Sequence, residues 1–230
     1  MKDTPLSIAG SPITIGANAS TQYAVRLSSD KHVPDAILPF DSATQSQAAD
    51  YLKYGATLKL GYQNTLLSLG ELWLDLPLTT VDGSRQLLTS YWGGNLRSQL
   101  SDQLQLELGH VTKLSPRNEE DFRKFSYTAK GITTYSDGLN YIDLRYQILP
   151  SLKTEYYFGN LDNLYNKHYL GIEHNWKADD FSLNSRLKYF NAQEDNDQLN
   201  IDAQNIGLLE TVKISNHSIG LGYQQIIGES

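Results

Sequence analysis

The chain has no cysteine, which excludes a disulfide framework and a thiolate metal site. It has no run of about 18 apolar residues, so a transmembrane helix is excluded. The amino-terminal "MKDTPLSIAGSP" lacks an apolar core long enough for a signal peptide. The 230 residues are therefore read as an intracellular protein, a mature form or a fragment. Positive charge is short as well: 19 Lys and Arg against 26 Asp and Glu leave a net charge of −7. Nucleic-acid binders show the opposite, a basic patch and a high pI, so no nucleic-acid partner is expected. Amphipathic helical patterning is nearly absent.

What is present is alternation. At 40% hydrophobic and 20% charged, the chain is too apolar to be disordered and long enough for one large domain or two small ones. Fifteen tyrosines stand against one methionine, and tyrosine favours strands and membrane–water interfaces. In "KYGATLKLGY" (53–62), Tyr54, Ala56, Leu58, Leu60 and Tyr62 share one face and Lys53, Gly55, Thr57, Lys59 and Gly61 the other. The same two-residue period runs through 103–110, 140–148 and 181–189, where Ser185 breaks an apolar row once. Short connections (63–64, 149–151, 177–180, 215–217) alternate with long ones near 28–49, 75–87, 112–138 and 191–202. About 11 strands result.

Strands with one apolar face suit two architectures. A soluble barrel or sandwich turns that face inward, whereas an outer-membrane barrel turns it to lipid and lines its lumen with the polar face. Alternation of short turns with long loops favours the second. So do aromatics at strand ends, among them Tyr51, Tyr54, Tyr91, Trp92, Trp176 and Phe181, placed as a headgroup girdle would be. The polar faces carry Gly, Asn, Gln, Lys, Arg and Glu together, as a watery lumen requires. The competing reading is a soluble or structural β-barrel binding module without channel activity.

Several blocks resemble the outer-membrane porin D (OprD) family of substrate-selective bacterial porins. They are "DYLKYGATLKLGYQNTLLSLGEL" (50–72), "DGSRQLLTSYWGGNL" (82–96), "LQLELGHVT" (104–112) and the hairpins of 126–176. The resemblance implies an all-β fold, an antiparallel transmembrane β-barrel in the bacterial outer membrane, with lipid around it. Barrels of this class close with about 18 strands, so residues 1–230 are expected to be a single partial barrel domain, an internal fragment that forms no working channel alone. The implied function is passive, substrate-selective diffusion of small carboxylate-bearing solutes such as amino acids or organic acids.

In this family the third loop folds into the barrel, and the matched segment puts Ser84 and Arg85 at the constriction. An arginine there presents a planar fork of donors to a carboxylate; the bland reading pairs it to Asp82 or Asp75 as a shape-holding loop residue. The family also carries a ladder of basic lumen residues, and strand parity nominates Lys53, Lys59, Arg97, Arg145, Lys153, Arg186 and Lys188. Glu107, Asp143, Glu155 and Glu173 share those faces, so salt-bridged networks are the plainer role for any single one. Enzymatic readings find little support. The histidines (32, 110, 168, 174, 217) show no metal spacing, no Gly-x-Ser-x-Gly elbow occurs, and no metal or organic cofactor is called for.

Overall fold

The computed structural model of the chain describes residues 7–8, 11–28, 37–41, 43, 45–79, 88–129, 131–195 and 201–229. Eleven strands of eight residues or more run through them. They are β1 Ser11–Val25, β2 Asp50–Tyr62, β3 Thr65–Leu72, β4 Ser90–Gln99, β5 Leu104–Ser115 and β6 Leu139–Leu149. The series continues with β7 Leu152–Leu161, β8 Tyr165–Ala178, β9 Phe181–Glu194, β10 Asp202–Ile214 and β11 His217–Glu229. Each strand is hydrogen-bonded to the next in sequence. The number agrees with the periodicity; six further strands of two to four residues accompany the long ones.

The turn chemistry explains the meander. Gln63, Asp179 and Ser215 take positive φ (49°, 36° and 50°) in the connections β2–β3, β8–β9 and β10–β11. Positive φ at a tight hairpin lets the turn follow the right-handed twist of its strands. Register pairs Tyr62 with Thr65, Ala178 with Phe181 and Ile214 with His217, so each of these turns is two residues. At the opposite strand ends the connections are longer, except Asp162–Leu164 between β7 and β8. The connection expected at 112–138 begins later, because β5 continues to Ser115, and it holds the hairpin Ser126–Ala129/Ile132–Tyr135.

The chain forms two compact units, Met1–Leu96 with His110–Phe125 and Arg97–Gly109 with Ser126–Ser230. In both, burial is inverted relative to a water-soluble protein. Lys53, Glu107 and Asp143 are each 1% exposed, while Tyr54 is 75% and Leu221 71% exposed. Charged residues are almost never fully buried in soluble folds unless paired. Here the polar face is the sheltered one and the apolar face looks outward, as a lipid-facing wall requires.

Two aromatics depart from the girdle expectation. Tyr51 is 0% exposed and packs with Leu38, and Tyr91 is 6% exposed and stacks on Phe125 with ring centroids 6.4 Å apart. Both lie on the sheltered face, because parity outranks position near a strand end. Trp92 and Trp176 do face outward, at 44% and 52% exposure.

Candidate functional site

In the second unit, register sets the charged residues of the sheltered face in two adjacent rows. One reads Arg145, Glu155, Gly171, Lys188, Gly207 across β6 to β10. The other reads Gln147, Lys153, Glu173, Arg186 across β6 to β9. Neighbouring strands stand about 4.8 Å apart and successive same-face residues about 6.7 Å apart, so these side chains share one patch. All of them but Gln147 and Gly207 line an open groove of about 300 Å³. Four cations meet two carboxylates in its lining, a local excess of positive charge in a chain of net −7.

The two carboxylates are engaged. Arg145 Nε donates to Glu155 Oε1 at 2.9 Å and lies 2.9 Å from Asp143 Oδ2. Glu173 Oε1 accepts from Asn175 Nδ2 and Asn184 Nδ2, each at 3.1 Å. Lys153, Arg186 and Lys188 are exposed and make no direct ion pair among the described residues. In the register Lys188 stands between two glycines, Gly171 on one side and Gly207 on the other. At Gly171 the Tyr169 ring occupies the place of a Cβ.

The remaining nominated charges behave differently. Arg97 is bidentate to Glu107, through Nε–Oε2 at 2.9 Å and Nη2–Oε1 at 3.1 Å. Lys59 stands opposite Gly16 and Ser68, within reach of the Asn18 amide. Lys53 is sealed from solvent, and its Nζ donates to Ser115 O at 2.9 Å and Leu88 O at 3.4 Å. The structure thus gathers Arg145, Lys153, Arg186 and Lys188 and leaves Lys53, Lys59 and Arg97 elsewhere.

Ser84 and Arg85 lie outside the described residues. The chain leading to them is sheltered from solvent: Leu72, Leu74 and Leu76 are 3–5% exposed, and Leu76 bridges to Thr79.

Lys167 and Glu71 are among the charged residues on the sheltered face that escaped the sequence reading. Lys167, its Nζ 4.8 Å from the Phe190 ring centroid, shares the face of Tyr169 and could have been found by the same parity. Glu71 could not. The β2–β3 register stops at Thr57 opposite Gly70, whose φ is +114°. Beyond this kink Glu71 turns to the same face, where Ser20 Oγ donates to its Oε2 and Thr57 Oγ1 to its carbonyl. Gly55 leaves the space that the Glu71 carboxylate fills.

The pattern described as "outer membrane porin, OprD family" matches residues 9–230. The chain belongs to the OprD family. Its fold is accordingly the antiparallel β-barrel of these porins, present in part, and its place is the bacterial outer membrane. The soluble-module reading is set aside by this membership.

Among individual OprD-family relatives, Porin D of Pseudomonas aeruginosa is 28% identical over 187 residues, 78% of this chain and 41% of that protein. The crystal structure of Acinetobacter baumannii OccAB4 superimposes with a TM-score of 0.93 at 74% identity, over 99% of this chain and 58% of that one. Pseudomonas aeruginosa OpdK, solved with vanillate, gives 0.85 at 26% identity, over 95% and 57%. The chain thus spans less than half of Porin D and little more than half of these solved porins.

Proposed function

We propose that this OprD-family segment supplies one wall of a channel for passive, substrate-selective diffusion of small carboxylate-bearing solutes, such as amino acids or organic acids. The observation that carries the reading is the groove in which Lys153, Arg186 and Lys188 are exposed while both acidic neighbours are already bonded. Such cations attract a carboxylate, and their exposure to water keeps the attraction weak enough for release, as conduction demands. The vanillate in the OpdK crystal structure is itself a small carboxylate and supports the same class of solute. The wall acts as a conduit and not as an enzyme. Its relatives are porins.

Solute uptake by liposomes holding a full-length porin with this segment tests the proposal. Arg186→Ala with Lys188→Ala should slow carboxylates relative to neutral solutes of equal size. Each exposed charge at contact contributes on the order of 1 kcal/mol, roughly fivefold in affinity. An unchanged carboxylate-to-neutral ratio would sink the assignment.

A further inference from the structure

Lys53 and Gln22 stand directly opposite one another on β2 and β1, and both reach the backbone of one distant residue, Leu88. Gln22 Oε1 accepts the Leu88 N–H at 3.0 Å, and Lys53 Nζ donates to the Leu88 carbonyl at 3.4 Å. Leu88 is the first described residue after 80–87, the segment that carries Ser84 and Arg85. We infer that Gln22 and Lys53 are positioning residues, a two-point side-chain latch fixing where the chain leaves this connection and re-enters the wall. The inference rests on the porin reading and adds to it a role that neither side chain performs by touching solute.

Three observations support a latch over a pore charge. Lys53 is 1% exposed, so no passing solute reaches its ammonium. Its bonds run to two segments far apart in sequence, since it also donates to Ser115 O at 2.9 Å, the last residue of β5. Its third neighbour is the Phe122 ring, 5.8 Å from Nζ to the centroid, a distance at which a cation and an aromatic face attract. A buried ammonium is costly unless its donors are satisfied. A lysine placed here is explained by what it ties together. Its long stem reaches both carbonyls, and Gln22 supplies the matching acceptor. The latch grips main-chain atoms, so the identity of the Leu88 side chain is immaterial to it. Residues 116–125 are drawn to the same place, with Ser115 Oγ donating to Glu119 O at 3.1 Å and the Leu52 N–H to Glu120 Oε1 at 2.9 Å.

Single-channel recording of a full-length porin with this segment reads the latch directly. Gln22→Leu and Lys53→Met should each raise open-channel current noise by twofold or more, and the pair should add little beyond either alone. Gln22→Glu keeps the acceptor and should stay as quiet as the parent. Because Gln22→Leu alters no charge, it keeps the test decisive should Lys53→Met fail to insert. Quiet traces from Gln22→Leu would overturn the inference. So would a reversal-potential shift in Lys53→Met with quiet current, which would make Lys53 a pore charge. Absence of any channel from the parent would instead count against the porin reading.

Discussion

Arg97 and Glu107 face each other across β4 and β5, joined through two nitrogen–oxygen contacts of 2.9 and 3.1 Å. The pair is lopsided. The Glu107 side chain is 1% exposed and that of Arg97 54%. Arg97→Ala should therefore act chiefly by stranding a buried carboxylate. The expected loss is about 1–3 kcal/mol, below the ~3–5 kcal/mol of a fully buried pair because water can approach from the arginine side. Thermal unfolding in detergent measures it, and Glu107→Gln, which strands no charge, should cost less.

Gly55 and Glu71 make a second prediction. The Glu71 carboxylate occupies the place where a Cβ on Gly55 would stand, and Ser20 holds it there. Gly55→Ala should destabilise the first unit by pushing the carboxylate off its partner. Adding Glu71→Ala should recover part of the loss, because the conflict is between those two side chains. A double-mutant cycle on unfolding temperature reads the coupling; strict additivity would count against it.

Arg85 makes the third. If it contacts solute at the constriction, Arg85→Ala lowers selectivity for carboxylates over neutral solutes and leaves the barrel folded. Liposome uptake and the heat-dependent gel mobility of the porin measure the two halves separately. Equal selectivity before and after the change would return Arg85 to the role of a loop residue paired to an acid.

Much of this architecture is legible in the residues because a strand with one wet and one greasy face must alternate. The hairpin at Gln63–Asn64 and the strands around 140–148 and 181–189 follow directly from that period, although β9 runs on to Glu194, past the start of the connection expected at 191–202. Parity also placed Arg145, Lys153, Arg186 and Lys188 on one face. It could not show that they gather in one groove, which depends on register between strands. Nor could it show which cations meet water. Lys53 and Lys188 look alike in sequence; one is sealed beneath two distant segments, and the other stands open between glycines. Tyr51 and Tyr91 look like girdle residues by position, yet parity sets them on the sheltered side, where they meet Leu38 and Phe125.

The kink at Gly70 shifts the reading frame of β3. Up to Gly70, Ser68 and its even-numbered neighbour share the polar wall with Lys59 and Thr57; one step later the odd-numbered Glu71 joins them. Only glycine enters the φ of +114° without strain, and a side chain there would strike the Ala56 carbonyl. Aligning relatives across this point is thus more than a matter of counting. A one-residue gap set on the wrong side of Gly70 moves a carboxylate from the sheltered polar face to the lipid-facing one.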